Sequence, residues 1–532
     1  MYFASLKVEN VKSFGEKQIL DLRDSKGALS PWTLILGDNG VGKTTLLKCL
    51  AWMLPVELPE NEKLRIAKRL FNRGVDFEII KETTGISKEE LESNEPVKEN
   101  DNDQNEEKAT TKVEIKPLMD DFSDESVYNS IIRVGEGVEM KIKAEFTNGL
   151  CLKATPSKGD LTTIGIRLKR KGDEIEDILN TDHLTTAELE EFNSPNLFAY
   201  GAARHMASEN FEKSELKEPT YNLFSNSGDL YDAEEVLLKL YNDSVAEQNA
   251  MMKQTIEQLK NGSTQPSIQQ AQNESIDSKV EGKATKHLQK VKEILTTLLP
   301  HLDDPDCIII NQSTKKEGHP YSRIVEIKTP FGQVGLYDLS LGYQTMLVWV
   351  VDLAIRMFWQ NPDSDEPLKQ PAVVIIDEID LHLHPKWQRT IKQYLTHHFP
   401  ATQFICTAHS PFMAQASEDE NLCVLHEIKL TPVISEVKID NDPTIVKGWR
   451  IGQIIKSDLF GVPETSFKIE KWRDERREIL DKPEQTPADK IRLEELNEEL
   501  SKLPSTENNE TQKLLDQIRV TAEILKKEGK LK

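Results

Sequence analysis

Gly37-Asp38-Asn39-Gly40-Val41-Gly42-Lys43-Thr44-Thr45 is the stretch that decides the fold of this chain. It follows an apolar run, Trp32 to Leu36, and precedes Leu46 to Leu54, which reads as a helix. A strand, a glycine-rich turn and a helix that opens on Lys-Thr together form the context a phosphate loop requires. Glycines let backbone N–H groups turn toward phosphate oxygens, and the helix N-terminus adds partial positive charge. Asn39, Gly40, Gly42, Lys43, Thr44 and Thr45 are therefore the candidate nucleotide-binding residues. Lys43 would neutralise β- and γ-phosphates, and the Thr44 hydroxyl would ligate Mg2+. The plain alternative, a Gly-rich turn before a helix that happens to carry Lys and Thr, does not account for both flanking elements.

A second segment, Val373-Val374-Ile375-Ile376-Asp377-Glu378, is a continuous β-branched run ending in two carboxylates. Such a run suits a parallel strand buried on both faces. Two acids at its end are costly unless a cation or water uses them. Asp377 would hold Mg2+, and Glu378 would polarise an attacking water as the catalytic base. The two histidines that follow beside Asp380, His382 and His384, have no third ligand at metal-site spacing, so a loop leading to a helix near Pro385 is the better reading than a metal site. Another apolar run, Gln403 to Ala408, ends at His409, a candidate γ-phosphate sensor, whereas His397-His398 reads as structural.

Between these lies Leu339-Ser340-Leu341-Gly342-Tyr343-Gln344-Thr345, which resembles the signature loop of ABC-type ATPases, usually Leu-Ser-Gly-Gly-Gln. The altered spacing is similar to that of SMC-like and phage-defence ATPases. Leu6 to Phe14 resembles the first strand of SMC-like heads, and the resemblance also covers Asp380 to Pro385 and Gln453 to Gly461. The mix looks most like the PtuA-like ATPases of Septu anti-phage systems, including those attached to retrons. The resemblance implies an α/β fold: an ABC-type, SMC-like P-loop ATPase head with a mixed two-lobe sheet, a helical insertion and a C-terminal helical hairpin. It implies ATP and Mg2+ as ligands and a head-to-head homodimer with two ATP at the interface. Ser340, Gly342 and Gln344 would then contact the nucleotide of the other subunit, and Asp380 would sit where the heads meet. The partner implied is a separate PtuB-like HNH nuclease; retron versions add a reverse transcriptase and its RNA–DNA product, msDNA. One departure stands out. SMC-like heads offer a glutamine between phosphate loop and signature loop, but the comparable strand end here reads Leu197-Phe198-Ala199-Tyr200-Gly201-Ala202-Ala203-Arg204-His205. Arg204 is a candidate phosphate contact, with a structural ion pair as the blander role.

Lys43 and Asp377 are 334 positions apart, so the intervening chain must leave the core sheet and return. The expected layout is lobe I with the phosphate loop at 1–82, an acidic flexible insert at 83–130, and the antiparallel sheet of lobe I at 131–232. A helical arm at 233–300, lobe II at 301–460 and a helical region at 461–532 follow. Residues 89–107 contain nine acids and one Lys, too little apolar surface to offset chain entropy. Val138 to Ala154 alternates around Thr147-Asn148-Gly149 and reads as a hairpin with an Asn-Gly turn. Leu493, Leu496, Leu500 and Leu503 form one apolar stripe, and Leu514, Ile518 and Leu525 a second, which together predict a helical hairpin.

The 532 residues carry a formal charge of −23, and an acidic chain is a poor nonspecific DNA coat. Basic stretches at Lys63 to Arg73 and Arg167 to Lys171 are the candidate DNA contacts, with a solvated face as the simpler role. Five cysteines without a C-x-x-C pair, and no apolar run of about 18 residues, predict a cytoplasmic protein with no membrane span. Two other functions compete. A self-contained OLD-like nuclease needs a Toprim metal site; Asp440-Asn441-Asp442 offers half of one, without the upstream Glu-Gly, and only 123 residues follow His409. A DNA-repair head of the SMC kind needs arms longer than this insert.

Overall fold

Apolar runs without alternation predict strands covered on both faces, and four strands buried almost throughout lie side by side here. In chain order the strands are β1 (Tyr2–Glu9), β2 (Gln18–Asp21), β3 (Trp32–Gly37), β4 (Glu139–Thr147), β5 (Leu161–Lys171) and β6 (Glu174–Ile178). Then come β7 (Asn196–Tyr200), β8 (His205–Met206), β9 (Asp229–Leu230), β10 (Ile308–Ile310), β11 (Val325–Thr329) and β12 (Gly332–Gly335). The last four are β13 (Ala372–Ile376), β14 (Thr402–Thr407), β15 (Asn421–Lys429) and β16 (Ser435–Asp440). The computed structural model describes residues 2–53, 139–147, 151–157, 161–171, 174–178, 196–206, 219–224, 229–261, 282–298, 302, 304–311, 324–417, 421–431, 435–441, 448–457, 460, 466–482 and 485–501.

The central sheet has six strands in the order β16-β15-β3-β14-β13-β7. All its neighbours are parallel except the edge pair β15–β16. A second, antiparallel sheet runs β2-β1-β4-β5-β6. The helix Lys43–Trp52 is buried almost all round, because apolar side chains of both sheets close over it: Phe3, Phe146 and Leu6 from one, Ile35, Val373 and Ile405 from the other. After its polar first turn this helix is apolar at Leu46, Leu47, Cys49, Leu50, Ala51 and Trp52, on more than one face, and has to be covered in this way. Parallel strands β3, β14 and β13 all end at the N-terminal edge of this helix, and that places the phosphate loop and the acidic pair on one rim.

Gln403 joins the two sheets. Its amide accepts from Phe3 N at 2.9 Å and donates to Phe3 O at 2.9 Å, replacing strand partners where the β1–β4 register shifts between Phe3 and Ser5. The hairpin pairing predicted over Val138 to Ala154 is not the one β4 makes, while Asn148 and Gly149 themselves lie outside the described residues. β4 pairs with β1 and β5, and the segment after the Asn-Gly dipeptide instead exchanges hydrogen bonds with Leu29, through Lys153 N and Ala154 O. Local alternation lost to long-range pairing there, because β4 has a partner on each side.

Helices Ala233–Asn261 and Lys283–Leu298 pack on each other, and Leu288, Val291, Ile294, Leu295 and Leu298 bury one stripe of the second. His287 stacks on Phe358 at 4.0 Å, which seats this pair on the helix Leu341–Gln360. That last helix is long and apolar enough to cross a membrane, but 72% of its apolar window is buried within the head, as in a core helix. The five cysteines are free. Contacts divide the chain into two compact units, Met1–Ile454 and Ile455–Lys532. In the second unit, helices Phe467–Leu480 and Pro487–Ser501 form a hairpin closed by the bidentate pair of Arg492 with Glu475. The acidic 83–130 stretch, Lys63 to Arg73, and the Leu514 to Leu525 stripe lie outside the described residues.

Candidate functional site

Three glycines shape the phosphate loop through positive φ: Gly37 at 148°, Gly40 at 81° and Gly42 at 98°. At Gly42 a Cβ would also meet Ser13 Oγ at 2.6 Å and the Phe14 ring at 2.8 Å, so both conformation and space demand glycine. The helix opening at Lys43 has no side chain capping its N-terminus, so its first N–H groups are left for a ligand. Lys43 Nζ donates to the carbonyls of Gly37 (2.8 Å) and Asp38 (2.9 Å) and arches over its own loop. Burial pushes its ammonium below the ordinary lysine value, against the upward pull of Asp377, Glu378, Asp38 and Asp380.

The decisive contact spans 333 positions: Thr44 Oγ1 donates to Asp377 Oδ2 at 2.7 Å. Asp377 is 4% exposed, and its other oxygen accepts from Thr407 Oγ1 at 2.5 Å. A hydroxyl and a carboxylate held together at the rim are the hard oxygen donors that suit Mg2+. Glu378 follows with φ 48°, a left-handed conformation that costs a non-glycine residue about 1–3 kcal/mol. Surrounding hydrogen bonds hold it there. Its N–H donates to Thr407 Oγ1 at 2.8 Å, and its carbonyl accepts from Leu381 N at 3.0 Å and Arg204 Nη2 at 2.7 Å. Asp380 Oδ2 accepts from His409 N at 2.9 Å, so these two predicted residues meet within one chain. His384 caps the helix Pro385–Gln388 through Lys386 N, a structural role.

Ser340 is exposed at the N-cap of helix Leu341–Gln360, with no side-chain cap bond, and its carbonyl accepts from Tyr343 N and Gln344 N. Gln344 Nε2 folds back to the carbonyls of Tyr337 and Leu339, both at 2.7 Å. Gly342 touches the loop after the acidic strand: a Cβ there would sit 2.3 Å from His382 O. Tyr343 and Trp387 meet edge-to-face at 4.3 Å beside it. The signature-like loop and the Asp380 loop are therefore packed directly against each other. Gly342→Ala is expected to destabilise the head by about 1–3 kcal/mol through backbone overpacking. Chemical denaturation without nucleotide measures this apart from any catalytic effect.

Sequence reasoning missed Thr407, which bonds both Asp377 and the Glu378 N–H. Its only signal is a hydroxyl residue ending an apolar strand. It also missed Asp352, an acid inside an apolar helix, which accepts from Tyr200 OH (2.9 Å) and Arg356 Nε (2.8 Å) and fastens β7 to the signature helix. The ion-pair reading of Arg204 is corrected: among the described residues it bonds a carbonyl, and no carboxylate pairs with it. Asn441 is likewise structural, bonding Asp21 N and Ile19 O of β2.

A family model described as an AAA ATPase domain matches residues 1–414, which span the phosphate loop, signature loop, acidic strand and His409. The chain belongs to this family. A retron Vc95 probable ATPase of Vibrio cholerae is 22% identical over 80% of this chain and 74% of its own length. A Septu protein PtuA of Bacillus mycoides is 31% identical over 31% of this chain, and the match covers 22% of that relative. These matches bear out the resemblance to PtuA-like ATPases. An SMC head domain from Thermotoga maritima aligns over 83% of this chain and 99% of its own, with 14% identity and a TM-score of 0.34.

Proposed function

We infer that this AAA-family ATPase is the ATP-driven sensor subunit of an anti-phage defence assembly and controls a separate PtuB-like HNH nuclease. The observation that carries the ATPase part is the bond from Thr44 to Asp377, which joins phosphate loop and acidic strand. The defence part is supported by the retron and Septu relatives. In this reading Asn39, Gly40, Gly42, Lys43, Thr44 and Thr45 cradle the triphosphate. Thr44 and Asp377 would hold Mg2+, which when bound neutralises charge on the β- and γ-phosphates.

Glu378 then takes a proton from the attacking water, and His409 contacts the γ-phosphate from the neighbouring strand end. Ser340, Gly342 and Gln344 complete the site of a second copy, with Asp380 at the seam between heads. The exposed Ser340 and the uncapped helix behind it support that assignment. ATP-dependent pairing of heads would couple nucleotide state to nuclease control, and retron-attached assemblies would add a reverse transcriptase and msDNA. The setting proposed is the cytoplasm.

The test is to purify the tagged chain with its genomic neighbours and identify bound protein and nucleic acid. A co-purifying HNH nuclease is the expected result. A bare homodimer that cleaves DNA with Mg2+ by itself would overturn the division of labour.

A further inference from the structure

Beyond β7 the chain makes a tight turn that is clamped from one side. Gly201 N donates to Asn222 Oδ1 at 2.7 Å, Asn222 Nδ2 donates to Ala203 O at 3.1 Å, and Arg204 N donates to Ala202 O at 3.0 Å. A Cβ on Gly201 would stand 2.6 Å from Asn222 O, so the approach depends on glycine. The turn delivers Arg204 into the interior, where it is 4% exposed. Nη2 donates to the Glu378 carbonyl at 2.7 Å, while Nε and Nη1 are buried with no acceptor among the described residues. Burial pulls the guanidinium down to about 10, with Asp377, Cys406, Asp380 and Glu378 pulling the other way, so it remains charged at neutral pH.

A buried guanidinium kept for stability would be matched to a carboxylate, as Arg356 is to Asp352. Arg204 instead spends its one described side-chain bond on the backbone of a residue held at φ 48°. Left-handed backbone persists at a glutamate only where the surroundings fix it. We propose that Arg204 is a positioning residue for ATP hydrolysis: its bond to the Glu378 carbonyl locks the left-handed turn that aims the Glu378 carboxylate. The inference rests on Glu378 being the general base. Removing the bond lets the turn relax and the carboxylate shift, and a misplacement of ~1 Å can cost about 10²-fold in rate. ATP affinity should hold, because Arg204 is 4% exposed and its described side-chain bond goes to the Glu378 carbonyl, which puts it behind the acidic strand and not in the phosphate loop as the phosphate-contact reading required.

The experiment uses the full chain with Mg2+ and ATP for single-turnover hydrolysis, and a non-hydrolysable ATP analogue for affinity. Arg204→Met is expected to slow hydrolysis about 10- to 100-fold with the analogue bound as tightly as by wild type. Arg204→Lys should recover part of the rate, since it keeps the charge and a donor but not the fixed fork. A wild-type rate in Arg204→Met overturns the inference, as does equal loss of affinity and rate in both variants. Should Arg204→Met fail to fold, Arg204→Gln decides, because its shorter uncharged side chain loses the guanidinium's reach, and an undiminished rate there overturns the inference. Glu378→Gln is the control that separates the two claims. If Glu378→Gln is slow and Arg204→Met is not, the positioning role alone fails. Undiminished hydrolysis in Glu378→Gln removes the general base and this inference together.

Discussion

Glu378→Gln is expected to lower ATP hydrolysis by at least about 10²-fold while ATP-bound dimers accumulate. Glutamine preserves size and keeps both main-chain anchors, the N–H to Thr407 Oγ1 and the carbonyl from Arg204 Nη2. The left-handed turn therefore survives, and what is lost is a carboxylate able to accept the proton of water. Asp377 keeps its bonds from Thr44 and Thr407, so the oxygens proposed for Mg2+ stay in place. Binding should persist and the step after it should stall. Light scattering of the variant with Mg2+ and ATP, beside phosphate release, measures both. Phosphate release at the wild-type rate would sink the assignment of Glu378.

Lys43→Ala is expected to abolish ATP binding without unfolding the chain. Lys43 is 7% exposed, and burial depresses its ammonium, so in the nucleotide-free protein that charge opposes folding. Among the described residues its ammonium donates to two loop carbonyls alone, those of Gly37 and Asp38. A triphosphate would replace them with full negative charge, which makes the lysine's contribution specific to the bound state. Ligand at 100 times its dissociation constant adds about 2.7 kcal/mol to stability. Wild type should therefore melt higher with ATP, whereas Lys43→Ala should melt alike with and without it and match the wild-type melt in the absence of ATP. An ATP-dependent rise in the variant would show that the loop binds phosphate through its backbone alone.

The parts legible in the sequence were those whose physics is local. Gly37, Gly40 and Gly42 adopt positive φ because the turn before Lys43 requires it, and three glycines at fixed spacing announce that turn without any partner. Val373 to Ile376 reads as a doubly covered strand because nothing in it is polar. Tertiary structure decided what local patterns leave open. Residues 333 positions apart, Thr44 and Asp377, meet only because β3 and β13 are held parallel on either side of β14. Thr407 serves the acidic pair because its strand β14 pairs with β13, which leads directly into them, and Gln403 completes a register shift at Phe3, 400 residues away. The alternation around Val138 to Ala154 misled because β4 found partners on both sides in β1 and β5, and Arg204 read as an ion pair because a sequence cannot show which oxygen a guanidinium will reach. Glycine torsions and apolar runs are properties of the chain itself; the choice of hydrogen-bond acceptor is made by burial, when water is excluded and only the groups brought together remain.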